Sequence, residues 1–244
     1  MVAVQNIDCA VSRRHNSLGL SRPSCSAPAS SIVDLRNLLA ERFPHPPSAP
    51  RTTLRTGFDS LDQIIEGGLP KSAITELISP RMSAGSASVI HRLIKAAQTA
   101  RSFVALIDGF DSFDPQSLGR QSLPYLLWIR CRKSFEAIKA ADFLLRDGNF
   151  SLVILDLVLN PLEQLRKIPQ TTWYRFQRLV ESSSNACLIT TRRSFVNSAQ
   201  LKIVLENVWG LSALEDNAVM ARLRFRIQRS HFNSEIRNQK SEVG

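Results

Sequence analysis

Segments of strand length alternate with amphipathic segments along most of the chain after residue 54. The strand-length segments are residues 73–78, 103–107, 126–129, 152–155 and 186–190. Apolar residues recur at helical spacing between them, in segments that begin near residues 86, 134 and 173. Short apolar strands separated by helices are typical of a parallel sheet that helices cover on both faces. The pattern therefore predicts an α/β fold.

The last third of the chain follows a different pattern. Residues 203–205 and 208–209 predict an edge strand, and residues 222–229 alternate strictly between apolar and polar positions. The two faces of this second segment are Leu223, Phe225 and Ile227 on one side, and Arg222, Arg224, Arg226 and Gln228 on the other. Strict alternation is typical of a half-buried antiparallel strand. The fold should therefore be a mainly parallel sheet that ends in one antiparallel strand.

Two segments flank this core, an N-terminal arm rich in proline and serine and a C-terminal tail without apolar periodicity. Residues 1–50 predict a flexible, largely disordered arm, in which residues 31–43 alone have the spacing of a short amphipathic helix. A helix of this length needs a surface to dock on, either its own core or a partner. The core should span residues 51–230, and residues 231–244 predict a frayed basic tail.

Composition narrows the class of protein. The chain has 31 Lys+Arg against 21 Asp+Glu, a formal net charge of +10. Such a basic balance favours nucleic acid or an acidic protein as partner. No segment has the length of a membrane span and the N-terminus lacks the pattern of a secretory signal, so we expect a cytoplasmic protein without membrane contact. The scattered cysteines and histidines predict neither a disulfide framework nor a metal site.

The segment after the first core strand has the layout of a phosphate-binding loop. In an intact loop, GxxxxGK[ST], the lysine contacts the β- and γ-phosphates and the hydroxyl binds Mg²⁺. Here Gly85 matches the second glycine, but Ser86 stands at the lysine position and Ala87 at the hydroxyl position. The candidate nucleotide-binding residues are Pro80, Arg81, Gly85, Ser86, Ala87 and Asp156.

Two interpretations of this segment remain open. The loop either binds nucleotide without hydrolysing it or persists because a strand, a loop and a helix fold well together, and we favour the second because the missing lysine weakens phosphate binding. Asp156 ends an apolar strand, where it either organises Mg²⁺ or caps the next turn, and Asp108 has the same two roles open. We expect no catalytic residue, no metal and no required cofactor, although ATP with Mg²⁺ remains a candidate ligand.

Arginines supply the candidate DNA contacts. They are Arg192 and Arg193 after one strand, and Arg222, Arg224, Arg226 and Arg229 in the alternating segment. Alternate residues of a strand lie ~7 Å apart, which suits a phosphate backbone. The alternative is a solvated outer face, because charged side chains discourage edge-to-edge pairing of sheets.

An ordered series of segments resembles the core of the bacterial RecA recombinase and its relatives. The series comprises residues 56–62, 67–71, 74–77 with Pro80, 103–108 with Asp114–Pro115, and 152–156 at the place of the Walker B strand. The resemblance covers about residues 52–193. It implies a RecA-like core, and it also implies a lost activity. The position of the glutamate that polarises water in that family holds Phe110, with Asp111 next to it.

Further segments resemble the ImuA proteins, a RecA-like subgroup associated with damage-inducible mutagenesis polymerases. They are residues 146–154, 175–181 and 222–229. This resemblance implies an adaptor in the SOS response that does not hydrolyse nucleotide and that supports error-prone translesion synthesis. Its partners would be a translesion polymerase or its accessory subunit, DNA, and other copies of the chain.

Two other functions remain open. The chain could be a divergent DNA-dependent ATPase in which Lys71 or Lys95 replaces the missing lysine. A weaker alternative is an inhibitor of cell division similar to SulA. The long arm at residues 1–50 departs from the ImuA pattern.

Overall fold

A parallel sheet organises the part of the chain that the computed structural model describes, residues 52–81, 84–208 and 223–231. The strands are β1 (Thr53–Leu54), β2 (Leu69–Pro70), β3 (Ala73–Ile78), β4 (Val104–Asp108), β5 (Leu126–Arg130), β6 (Leu152–Asp156), β7 (Ala186–Thr191), β8 (Leu201–Leu205) and β9 (Phe225–Ser230). The predicted arm, its helix at 31–43 and positions 232–244 of the tail lie outside the described residues, so the domain boundaries stay predictions.

The last seven strands form one sheet in the order β5-β4-β6-β7-β3-β8-β9. All neighbours are parallel except β8 and β9, which are antiparallel. This confirms the predicted fold class. One prediction was wrong: β8 is not an edge strand, because β9 covers its outer side and all five of its residues are buried. Among the strands of the described residues, β5 and β9 lie at the edges of the sheet.

Helices cover both faces of the sheet. They are α1 (Asp59–Ile64), α2 (Ser86–Thr99), α3 (Ser134–Asp147), α4 (Leu162–Arg166) and α5 (Gln170–Glu181), with 3-10 turns at Pro115–Leu118 and Leu123–Tyr125. One core contains the apolar side of α2, and the other contains those of α3 and α5. The apolar spacing of the sequence predicts Phe135, Ile138, Ala141 and Leu145 on one face of α3. The last three are buried, but Phe135 is 64% exposed, so the prediction was wrong for this residue. No helix in the described ranges is long and apolar enough to cross a membrane.

The segment before the sheet is shaped by short polar contacts. The Asp62 carboxylate accepts hydrogen bonds from the backbone N–H and the hydroxyl of Thr56, at 3.0 and 2.7 Å, which ties the start of α1 to the preceding turn. Gly68 has a φ of +129°, and a Cβ there would lie 2.2 Å from the Leu54 carbonyl oxygen. The pairing of β1 with β2 therefore requires glycine at position 68.

A β-bulge changes the predicted faces of the last strand. Arg226 lies opposite Val204 and Arg229 lies opposite Lys202, with a shift of register between the two pairs. Residues opposite each other in an antiparallel pair share a face. The bulge therefore brings Arg229 to the face that Arg226 occupies, whereas strict alternation would place it on the other.

The carboxyl ends of the parallel strands meet at one edge of the sheet. The paired positions Arg130, Asp108, Asp156, Thr190 and Leu77 form a row across five strands just inside this edge. The connections that leave the neighbouring strands β3 and β7 run in opposite directions. From β3 the chain continues to β4, toward the β5 edge, and from β7 it continues to β8, toward the β9 edge. Ligand sites of open α/β sheets lie at such switch points. The loops after β3, β6 and β7 are therefore the expected place for a ligand site.

Candidate functional site at the carboxyl edge of the sheet

The predicted loop has the strand–loop–helix geometry. β3 ends at Ile78, and α2 begins at Ser86 after Gly85, a buried residue with a φ of 99°. At the start of the loop the Ser79 N–H donates to the Thr191 carbonyl at 2.7 Å, which connects the loop to the end of β7. Residues 82–83 lie outside the described part. The backbone frame of a phosphate loop is thus in place on both sides of this gap.

The side chains of the loop do not supply the missing cation. Ser86 is buried and Ala87 is exposed, while Pro80 and Arg81 lie on the solvent side of the loop. Lys71 precedes β3 and is separated from the loop by the whole strand, ~20 Å for six residues. Lys95 is the tenth residue of α2, ~13 Å along the axis from its first residue. Both distances are longer than a lysine side chain, so neither residue replaces the missing one in this conformation.

Asn207 fastens the far end of the loop, a role that the sequence pattern did not indicate. Its buried side chain donates from Nδ2 to the Ala84 carbonyl at 3.2 Å and accepts from the Arg224 N–H at 3.0 Å. The loop is therefore joined to the first residues before β9. A lone asparagine beyond a strand carries no periodic signal, which is why only the structure reveals it.

Asp156, at the end of β6, is engaged by its own surroundings. Its Oδ1 accepts hydrogen bonds from the Thr190 hydroxyl and from the Val158 N–H, the latter at 3.1 Å. Burial raises the pKa of this carboxyl above its ordinary value, and these hydrogen bonds oppose that shift. The contacts are those of a residue that caps the turn after β6.

Two further carboxylates near this edge, Asp108 and Asp111, also have protein partners. The buried Asp108 carboxylate accepts from the N–H groups of Ser112 and Phe113, both at 2.7 Å, and so caps the loop after β4. Asp111 forms a two-pronged ion pair with Arg130 on β5, and this hydrogen bonding lowers the pKa of Asp111. Phe110, at the expected glutamate position, is 49% exposed.

These residues do not fit a triphosphate with Mg²⁺ in the manner of an intact phosphate loop. The lysine and the hydroxyl are replaced, and the nearby carboxylates accept hydrogen bonds from protein groups. Within the described ranges no group of three or more His, Cys, Asp or Glu side chains is arranged to hold a metal ion. The geometry at this edge supports binding through backbone groups and cations outside the loop.

The candidate DNA contacts lie on two neighbouring elements. Arg193 is exposed and Arg192 half-buried at the start of the segment that joins β7 to β8, residues 192–200, which we term the crossover. On the β9 side Arg224, Arg226 and Arg229 are exposed, and Arg222 lies outside the described residues. We term these described arginines the arginine surface.

Two contacts hold the β9 arginines. The Arg229 guanidinium donates to the Asn197 carbonyl of the crossover at 2.9 Å, and Arg226 pairs with Glu206. The Arg229 contact brings the two halves of the arginine surface together. A buried ion pair of Glu76 and Lys202 lies beneath the crossover, and no local pattern of the sequence indicated it.

Together these observations define the class of the protein: an α/β protein built on a mainly parallel sheet with a strand–loop–helix turn at its carboxyl edge, an architecture consistent with a RecA-like core. No known protein-family profile matches the sequence. Individual proteins do match it.

The chain is 30% identical to Protein RecA of Frankia alni over 112 residues, 31% identical to that of Clavibacter michiganensis over 113 residues, and 32% identical to that of Leifsonia xyli over 114 residues. Each match covers 45% of this chain and 31–32% of the relative. The chain thus spans about a third of the length of the curated relatives it matches. The matches support a RecA-like relationship.

Proposed function

We propose that this chain is a RecA-like accessory protein of DNA repair that binds DNA and a protein partner without hydrolysing nucleotide. The observation that carries the proposal is the loop after β3. Its backbone frame is retained, but Ser86 and Ala87 stand where a phosphate and a metal would need Lys and Ser or Thr. Charged contacts to phosphate contribute about 1.5–3 kcal/mol each, and this loop lacks the principal one.

The arginine surface supports DNA as a ligand. Arg193, Arg224, Arg226 and Arg229 are exposed on elements that contact each other through Arg229 and Asn197. Guanidinium groups bind phosphates with two parallel hydrogen bonds, so a cluster of them suits a nucleic-acid backbone. Binding should therefore depend steeply on salt, because each neutralised phosphate releases counterions.

We further propose a place for this protein in the cell. The likeness of residues 146–154, 175–181 and 222–229 to ImuA favours a role beside an error-prone translesion polymerase, in the cytoplasm and during the SOS response. Its protein partner would be that polymerase or its accessory subunit, and association with further copies of the chain is a second possibility to measure. Since the chain spans a third of the RecA proteins it matches, recombinase activity is not carried over to it.

A pair of measurements on the full chain tests the core of the proposal. The first is ATP turnover with and without single-stranded DNA, where we expect no turnover above the blank. The second is DNA affinity across a salt series, where we expect a negative slope that becomes shallower in the variant Arg193→Ala/Arg229→Ala. DNA-stimulated turnover that Asp156→Ala abolishes would overturn the non-hydrolysing role, and a slope of zero would overturn DNA binding.

The polymerase partner needs its own experiment. Co-purification of the full chain with the mutagenesis polymerase of its own organism, followed by light scattering, should give one complex of defined stoichiometry. A replicative polymerase treated in the same way is the control and should elute separately. Equal behaviour of the two polymerases would contradict the adaptor role.

One observation favours a DNA-dependent ATPase as a second candidate. The turn between β3 and α2 keeps a left-handed glycine at its end, and the Asp156 carboxylate lies at the same edge of the sheet on β6, one strand beyond β7. As an ATPase, the chain would need a cation at the phosphates in place of the missing lysine, and Lys71 and Lys95 are too far from the loop to supply it. The turnover measurement above distinguishes it from the accessory role.

A further inference from the structure

A buried ion pair lies beneath the crossover. Glu76 of β3 and Lys202 of β8 are directly opposite in the parallel register, and Lys202 Nζ lies 2.8 Å from Glu76 Oε2. The two side chains are 0% and 6% exposed. Glu76 shares its face of the sheet with Ile74, and Val196 and Ala199 of the crossover belong to the same apolar core as Ile74. The pair is therefore enclosed between the sheet and the crossover.

The Glu76 carboxylate also accepts hydrogen bonds from one short segment, residues 191–196. Oε1 accepts from the Phe195 N–H at 2.7 Å, the Val196 N–H at 3.1 Å and the Thr191 hydroxyl at 3.1 Å. Oε2 accepts from the Ser194 hydroxyl at 3.2 Å, and Lys202 Nζ donates to the same hydroxyl oxygen at 2.6 Å. Both charges thus hold the beginning of the crossover from below.

This arrangement determines position more than it adds stability. Removing two charges from water costs free energy that their attraction only partly returns, so a buried ion pair adds little net stability compared with apolar residues. Hydrogen bonds from backbone N–H groups to a carboxylate are short and directional. Residues 191–196 therefore have one favourable placement over β3, and Arg192 and Arg193 lie within this segment.

A second contact holds the middle of the crossover. The Arg229 guanidinium on β9 binds the Asn197 carbonyl, one residue beyond the part that Glu76 holds. Lys202 and Arg229 are themselves paired across β8 and β9. The crossover is thus fastened from beneath through Lys202 and Glu76 and from the side through Arg229.

We propose that Glu76 is a positioning residue for nucleic-acid binding: through the hydrogen bonds that its carboxylate accepts, it holds Arg192 and Arg193 in place relative to Arg226 and Arg229, so that one phosphate backbone contacts both groups. This inference rests on the proposed DNA binding. The hydrogen-bond acceptor of residue 76, rather than the charge pair, then sets the geometry of the arginine surface.

Two double variants of the full chain separate the acceptor from the charge. Glu76→Gln/Lys202→Met removes both charges but keeps an acceptor for the Phe195 and Val196 N–H groups. Glu76→Leu/Lys202→Met removes both charges and the acceptor. The readouts are the salt dependence of binding to a fluorescent single-stranded oligonucleotide and the hydrogen exchange of the amides in residues 192–198.

The two variants should behave differently. The Gln/Met variant should keep the wild-type salt slope. In the Leu/Met variant the salt slope should become shallower by about two, and we expect the same of Arg192→Ala/Arg193→Ala, since each lost phosphate contact reduces the slope by about one. The amides of the Leu/Met variant at Phe195 and Val196 should exchange about tenfold faster or more, as expected for the loss of hydrogen bonds to a charged acceptor. An unchanged slope together with faster exchange would overturn the positioning role.

A milder pair of variants keeps the test decisive if the Leu/Met variant does not fold. Ser194→Ala removes the exposed hydroxyl that joins Glu76 and Lys202, and the slope should decrease by about one. Ser198→Ala is the matched control, since it removes a crossover hydroxyl that bonds the Trp173 carbonyl at 2.8 Å instead. Equal slopes for the two serine variants would contradict the proposal. A wild-type slope near zero is a distinct outcome, which removes the DNA-binding proposal itself.

Discussion

Two loops lie at the same edge of the sheet, one after β3 and one after β7, and they differ in the charged side chains that they contain or contact. The strands are paired neighbours, and the Ser79 N–H of the first loop bonds the Thr191 carbonyl where the second begins. The first loop keeps its backbone geometry but lacks the cation expected there. The second carries exposed arginine and is held by a buried carboxylate and a buried ammonium group.

This difference shows that the backbone geometry of a phosphate loop can form without the side chains that would bind phosphate. A strand, a turn with a left-handed glycine and a helix are stable together without a ligand, because backbone bonds and apolar packing suffice. The crossover, in contrast, is short and irregular, so side chains must fix its path. The comparison therefore favours the second loop as the one that binds a ligand. The first loop would then serve only to connect β3 to α2.

The largest expected effect comes from separating the buried pair. Lys202→Met leaves the Glu76 carboxylate buried without its partner, which should lower the free energy of unfolding by about 3–5 kcal/mol. Glu76→Gln/Lys202→Met should recover most of this loss. Urea unfolding followed by circular dichroism measures both. If the single and double variants are equally unstable, Lys202 contributes through packing and the charge pair is irrelevant to the second loop.

A repair of the first loop should produce the next effect. Ser86→Lys/Ala87→Thr restores the cation and the hydroxyl, and affinity for a fluorescent ATP analogue with Mg²⁺ should rise about ten- to a hundredfold, the equivalent of one charged contact. Ala87→Thr alone is the control and should change affinity little. Wild-type affinity equal to that of the repaired loop would show that the first loop binds nucleotide by other means.

Stability should depend on pH through Asp156, which lies on β6, next to the strand β7 that leads into the second loop. Since burial raises its folded-state pKa above the ordinary 3.8, its contribution to stability is fully present below that value and is lost as the pH rises through the higher folded-state pKa. Asp156→Asn removes this loss. The urea midpoint of the variant should therefore gain on that of the wild type as the pH rises through this window. A constant difference would mean that the carboxyl is not perturbed by burial.

The smallest effect is expected at the outer strand. Arg226→Ala removes an exposed ion pair with Glu206, which should change the free energy of unfolding by less than about 1 kcal/mol. The salt slope of DNA binding should nevertheless become shallower by about one. Arg146→Ala, which removes an exposed ion pair with Asp142 on α3, is the control and should leave the slope unchanged. Equal effects would indicate a general influence of net charge.

Much of the fold follows from local patterns. The segments at 73–78, 152–155 and 186–190 are strands because buried apolar runs of that length satisfy their backbone only within a sheet, and they are observed with nearly the predicted bounds. The strand–loop–helix turn and its missing lysine are also visible in the order of residues alone. The short strands β1 and β2 were missed, since two residues carry no periodicity.

The sequence by itself determined which elements form and which chemical groups the first loop lacks, because both depend on residues that are neighbours along the chain. Only the tertiary structure decided that β8 is covered by β9, that a bulge brings Arg229 to the face of Arg226, and that Glu76 lies beneath a crossover whose Val196 is 120 positions away. Such contacts follow from strand order and register. These depend on how the whole sheet buries its two apolar faces, which no local pattern specifies.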